Sequence, residues 1–128
     1  MAALAEGDLR PVTVMFAAVR GFACLAEVLP PERLVQAINS VFQALDEPVA
    51  RLGGEVDKFI GDTLMATFGA PVAHDDDPRR AVLAALEMQA AVRTVNQRLP
   101  VGCELDLRIG INTGLVLAGP IGSRRKRT

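Results

Sequence analysis

Tryptophan and tyrosine are absent from this chain, and five phenylalanines supply all of its aromatic surface. A protein that stacks the bases of single-stranded nucleic acid needs several exposed rings, so the composition argues against that role. An excess of one charge is missing too. Fourteen Lys and Arg face 15 Asp and Glu, a net charge of -1, which gives no electrostatic reason to expect nucleic acid or an anionic membrane as partner. No run approaches the roughly 18 apolar residues that a membrane span requires. The opening MAALAEGDLR is too acidic and too short in apolar residues for a signal peptide. Cys24 and Cys103 lie at no metal or redox spacing, so they read as two reduced thiols of a cytoplasmic protein. What remains is a chain of 128 residues, 50% hydrophobic and 23% charged, long enough for one soluble domain with its own core.

Apolar periodicity divides that domain into elements. Val12–Val19 alternates Val12, Val14, Phe16 and Ala18 with Thr13, Met15 and Ala17, which predicts a buried strand. Arg20-Gly21-Phe22 breaks it into a turn. Pro30-Pro31-Glu32 opens a helix, with proline tolerated and an acid favoured in the first turn. Leu34, Ile38, Val41, Phe42, Leu45, Val49 and Leu52 keep one face of it apolar until Gly53-Gly54. Two short strands follow, joined by a tight turn at Gly61-Asp62. Asp77 as N-cap and Pro78 at the first helical position start a second helix, lined by Ala81, Ala85, Met88, Val92, Val95 and Leu99 and closed by Pro100. Leu105, Leu107, Ile109 and Ile111 then alternate with polar residues in a strand with one wet face, and Leu115–Gly119 reads as one further strand. The order is β-α-β-β-α-β, an α+β ferredoxin-like sandwich with two helices on one face of the sheet. Residues 1–11 read as an N-terminal extension and 12–128 as the domain. An RNA-binding domain of the same topology is disfavoured by the lack of rings.

Within this frame the string Gly53-Gly54-Glu55-Val56-Asp57-Lys58-Phe59-Ile60-Gly61-Asp62-Thr63-Leu64-Met65-Ala66-Thr67-Phe68-Gly69 is the most informative. By itself Gly-Asp is ordinary turn chemistry, and Lys58 an ordinary solvated strand residue. The whole string resembles the central hairpin of the class III nucleotide cyclases, the adenylate/guanylate cyclase catalytic domain family. Val12-Thr13-Val14-Met15-Phe16-Ala17-Ala18-Val19-Arg20-Gly21-Phe22 resembles that family's first strand and phosphate-cradling turn. Leu107-Arg108-Ile109-Gly110-Ile111-Asn112-Thr113-Gly114 and Gly119-Pro120-Ile121-Gly122-Ser123 resemble its later strands. These four blocks stand in family order, with family-like spacing.

The resemblance implies an activity, the conversion of ATP to 3′,5′-cyclic AMP and pyrophosphate, with Mg2+ or Mn2+ as cofactor. Asp62 would be a metal ligand and a catalytic residue, and the Val19 backbone carbonyl a second donor. Ala18 stands where the family pattern Phe-Ala-Asp-(Ile or Val)-Arg-Gly-Phe carries its other metal aspartate. Lys58 would read adenine, since an ammonium donates to a ring-nitrogen acceptor whereas guanine at that edge calls for an acid. Gly21 and Phe22 would offer backbone N–H groups to phosphates, and Arg108 a paired-donor grip. For Arg108 an ion pair with Asp57 or Asp106 is the competing reading, and for Gly21 and Phe22 a plain turn. The family's active sites form between two chains packed head to tail, so a homodimer, or a heterodimer with another cyclase domain, is implied. Its second base-reading residue, and the asparagine and arginine that serve ribose and transition-state charge, would fall after Thr128. With Ala18 in place of a carboxylate the chain is expected to be catalytically impaired. The alternative is a non-catalytic nucleotide-binding or dimerisation module that regulates a partner. His74-Asp75-Asp76-Asp77 reads as a solvated helix entry rather than a metal cluster, and Arg124-Arg125-Lys126-Arg127 as a basic surface loop.

Overall fold

A computed structural model describes residues 8–70 and 72–118. Strand β1 (Asp8–Arg20) leads into a short helix α1 (Phe22–Val28) and a long one, α2 (Pro31–Arg51). The hairpin of β2 (Glu55–Ile60) and β3 (Thr63–Phe68) follows, then α3 (Asp77–Asn96) and β4 (Asp106–Ala118). The four strands form one antiparallel sheet in the order β2-β3-β1-β4. This is the mixed α+β, ferredoxin-like arrangement expected from the order of elements.

One face of the sheet is covered and the other is open. Val41, Leu45 and Val49 of α2, with Ala81, Ala84, Met88 and Val92 of α3, pack on Met15, Ala17 and Val19 of β1, Leu64, Ala66 and Phe68 of β3, and Leu105 and Leu107. Burial of each large side chain contributes roughly 1.5–3 kcal/mol. Side chains alternate across a strand, so Val14, Phe16 and Ala18 face away from the helices, whereas Val12, nearer the start of β1, is buried. Phe16 is accordingly 46% exposed and Ala18 only half-buried. The expectation of a buried first strand therefore holds for Val12 and the helix-facing residues but not for Phe16 and Ala18.

Other local expectations are corrected. Helix α1 replaces the plain turn predicted after Arg20: Gly21, at φ 116°, turns the chain straight into it. Strand β1 begins at Asp8 rather than Val12. Because Asp8–Pro11 supply pairing partners for Leu115–Ala118, β4 continues unbroken where a separate strand was expected. Helix α3 begins at Asp77 with Asp76 as its N-cap, one residue earlier than predicted. Asp77 is buried and accepts hydrogen bonds from the His74 backbone N–H at 2.9 Å, its side chain tied back onto the preceding loop rather than capping the helix. Cys24 and Cys103 are not two reduced thiols. They form a disulfide between α1 and the loop before β4, with Cα atoms 5.7 Å apart. Seventy-nine residues of sequence separation hid a proximity that only the closing of β4 onto β1 creates. The Gly119–Ser123 block and the basic run Arg124–Arg127 lie outside the described residues.

Candidate functional site

The β2–β3 hairpin presents the carboxylate. Its two-residue loop is Gly61-Asp62, with Gly61 at φ 61° and positive φ confined to glycine. Positive φ at the first central residue alone is the type II′ pattern, whose twist suits a tight hairpin. Asp62 is exposed at the tip, where Thr63 Oγ1 donates to its Oδ1 at 3.2 Å. The Val19 N–H donates to the Asp62 carbonyl at 2.9 Å, which fastens the tip to the end of β1. In a strand a residue's N–H and C=O point to the same neighbour, so the Val19 carbonyl lies along the edge facing that turn.

Strand register brings the other predicted residues to the same open face. Ile60 pairs with Thr63, Thr63 with Ala18, and Ala18 with Arg108, a row that crosses all four strands. A second row runs Lys58, Met65, Phe16, Gly110. Two residues along a strand separate these rows, roughly 7 Å. Val56 pairs with the buried Ala66 on the covered face, so strict alternation would put Lys58 there too; the bulge at Asp57 turns Lys58 onto the open face instead. Lys58 and Arg108 are both exposed; Lys58 Nζ lies 3.8 Å from Asp57 Oδ2 and Arg108 Nε donates to Asp106 Oδ2 at 3.3 Å. The ion pair foreseen for Arg108 thus forms with Asp106. Both cations are held only by exposed neighbours, and such pairs are worth little against a phosphate competitor.

Gly21 and Phe22 occupy the end of β1 next to this row. The Phe22 ring packs on Phe42, with centroids 5.9 Å apart, which leaves the backbone amide as the polar donor of this residue. A methyl group on Gly21 would sit 2.6 Å from the Glu104 carbonyl oxygen; only glycine fits where β1 turns against the approach to β4.

A two-ion centre does not fit these residues. Hard divalent cations need six or more oxygen ligands, and next to the row through Ala18 stand one carboxylate, Asp62 of the turn, and one carbonyl, Val19 of β1. Among the described residues no group of three or more His, Cys, Asp or Glu side chains converges to hold a metal ion. The His74-Asp75-Asp76-Asp77 segment is spent on structure: His74 Nδ1 lies 3.3 Å from Asp77 Oδ1 and Arg80 Nε donates to Asp76 at 2.8 Å. Reading the sequence missed Thr63, whose signal was a hydroxyl directly after the turn acid. It also missed the exposed apolar patch of Phe16 and Ile60, 55% exposed, that an open sheet face leaves uncovered.

Residues 5–128 match the family model described as the adenylate and guanylate cyclase catalytic domain. Adenylate cyclase 1 of Rhizobium meliloti (strain 1021) is 31% identical over 117 residues, which are 90% of this chain and 18% of that protein. The chain therefore spans less than a fifth of that relative's length. Among solved structures the guanylyl cyclase Cya2 superposes with a TM-score of 0.77 at 40% identity, over 95% of this chain and 63% of that one. The adenylyl cyclase CyaB from P. aeruginosa superposes with a TM-score of 0.81 at 30% identity, over 93% and 63%. Likeness extends to cyclases named for either nucleotide, so base preference has to be argued from individual side chains.

Proposed function

The chain belongs to the adenylate and guanylate cyclase catalytic domain family, and from that premise we propose that it is an adenylate-type domain that holds ATP on the open face of its sheet and cyclises it poorly. In the reaction the ribose 3′-oxygen attacks the α-phosphorus, the bond to the bridging oxygen breaks, and pyrophosphate leaves. The hydroxyl proton is released to solvent. The observation that supports the reading is the row Thr63-Ala18-Arg108 beside the exposed Asp62 turn, the positions to which the sequence resemblance assigns metal and phosphate contacts.

Each residue then has a task. Arg108 grips phosphate through paired N–H donors, and the Gly21 and Phe22 amides face the same anion. Lys58 donates to a ring nitrogen of adenine, a contact that favours ATP over GTP. Asp62 and the Val19 carbonyl would hold a single Mg2+ or Mn2+ ion, which would neutralise phosphate charge when bound. Two chains packed head to tail, as a homodimer or with another cyclase domain, complete the arrangement: Lys58 of one chain serves the site whose Asp62 and Arg108 come from the other. No helix among the described residues is long and apolar enough to cross a membrane, and a cytoplasmic setting, where ATP is supplied, accords with the reading.

The test is Ala18→Asp in a chain extended past Thr128 by the corresponding segment of CyaB. Cyclic AMP formation should rise by about 100- to 1000-fold over the same extended chain with Ala18, the scale on which one preorganised stabilising group acts. Cyclic AMP from ATP should exceed cyclic GMP from GTP. A second reading, a non-catalytic nucleotide-binding or dimerisation module that regulates a partner, is favoured by Ala18 itself. Continued silence of the aspartate variant, with ATP still bound, would select it.

A further inference from the structure

We propose that the Cys24–Cys103 disulfide is a redox-reversible clamp that fixes α1 and the Gly21 turn to the entrance of β4. The β1–β4 ladder ends at the rung Arg20–Asp106. Beyond that rung no sheet pairing among the described residues holds the two segments together, and there the disulfide joins α1 to the loop before β4. Between rung and bridge, Gly21 packs so tightly against Glu104 and Leu105 that a Cβ there would sit 2.6 Å from the Glu104 carbonyl oxygen. The bridge thus closes a small ring around the turn that ends β1.

Helix α1 depends on that restraint. It has seven residues, no side-chain cap, no acid in its first turn and no base in its last. Helices this short are marginal without tertiary support. Besides the disulfide, its anchors are the buried Leu25 and the Phe22–Phe42 ring contact. Access is asymmetric: Cys103 is 7% exposed, whereas Cys24 is half-buried. A small thiolate therefore attacks Cys24 Sγ, forms a mixed disulfide there and expels the Cys103 thiolate. A second thiol then attacks the mixed disulfide, giving the oxidised small-molecule disulfide and the Cys24 thiol. One protein disulfide and two small thiols become two protein thiols and one small disulfide; a low-molecular-weight thiol such as glutathione is the reductant. Where disulfides occur in reducing compartments they are usually redox-sensing rather than structural. Resting on the nucleotide reading above, the consequence is that reduction loosens the Gly21–Phe22 turn beside Ala18 and Arg108 and weakens its hold on phosphate.

Amide hydrogen exchange across residues 22–29, with and without reduced glutathione, tests the clamp. Titration of ATP and of inorganic tripolyphosphate in both states tests its link to the site. Exchange should speed up by at least about tenfold on reduction, as local opening becomes easier. Both ligands should lose affinity by about fivefold or more, the lower end of ordinary coupling between two sites. Cys24→Ser should behave as the reduced protein under either condition. Unchanged exchange would overturn the clamp, whatever the ligands do. Faster exchange with equal ATP affinity in the two states would overturn its coupling to the site. Faster exchange with no ATP or tripolyphosphate bound in either state would uphold the clamp and remove the nucleotide reading alone.

Discussion

Ala17 and Ala18 are adjacent, chemically identical, and belong to different worlds. Ala17 is wholly buried under the helices; Ala18 lies half-buried on the uncovered face, paired with Thr63 on one side and Arg108 on the other. The covered face is a packing problem with little tolerance for change, because interiors are close-packed and dry. The open face carries Lys58, Asp62, Thr63 and Arg108 in a setting where polar groups keep their water until a ligand displaces it. The proposed function falls on the face that contributes least to stability, so the side chain at position 18 can vary with little consequence for the fold.

The sharpest way to break this contrast is to place the same carboxylate on each face. Ala17→Asp should cost more than about 4 kcal/mol or prevent folding, since it buries a charge without a partner. Ala18→Asp should change stability by less than about 1 kcal/mol, with Arg108 opposite to offset it. Urea unfolding of the two variants checks the pair, and equal losses would mean that the two faces are not distinct. A smaller effect sharpens the boundary between them. Gly21→Ala should cost about 1–3 kcal/mol from backbone strain, with a further penalty from the Glu104 carbonyl that its methyl group would meet; a thermal melt that matches the parent would contradict the close packing there.

Smallest is an effect of surface charge, distant from either face of the contrast. The Arg80 guanidinium, hydrogen-bonded to Asp76 at 2.8 Å, holds that carboxyl below its usual range. A carboxyl depressed in the folded state adds stability above its unfolded pKa of about 4, and that contribution fades as pH falls through the lower folded value. Asp76→Asn should therefore be slightly less stable at neutral pH and flatten the decline below about pH 4, an effect that salt reduces. Urea midpoints measured across that range decide it; parallel pH profiles for variant and parent would show that the pair contributes nothing.

Much of the scaffold was legible because each signal was local. Leu34 through Val49 spaced at helical intervals, the Gly61-Asp62 turn between two apolar runs, and Leu107, Ile109 and Ile111 at strand intervals all became the elements they suggested. Alternation in Val12–Val19 was legible too, but not which half would be covered, since both halves are apolar and only the docking of α2 and α3 distinguishes them. The short α1 escaped because its seven residues carry no capping signal.

Sequence pattern alone set the order of the main elements apart from α1, the turn that carries Asp62, the alanine at position 18, and a pattern whose resemblance to a family could be identified. Tertiary structure decided which residues share a row. Ala18 stands opposite Arg108, 90 positions away, because antiparallel register sets the pairing. Cys24 meets Cys103 because the same ladder brings the approach to β4 back against the end of β1. Spacing along a chain encodes local conformation, whereas proximity between distant segments is set by the free energy of the whole packed sheet, and no single stretch of sequence contains it.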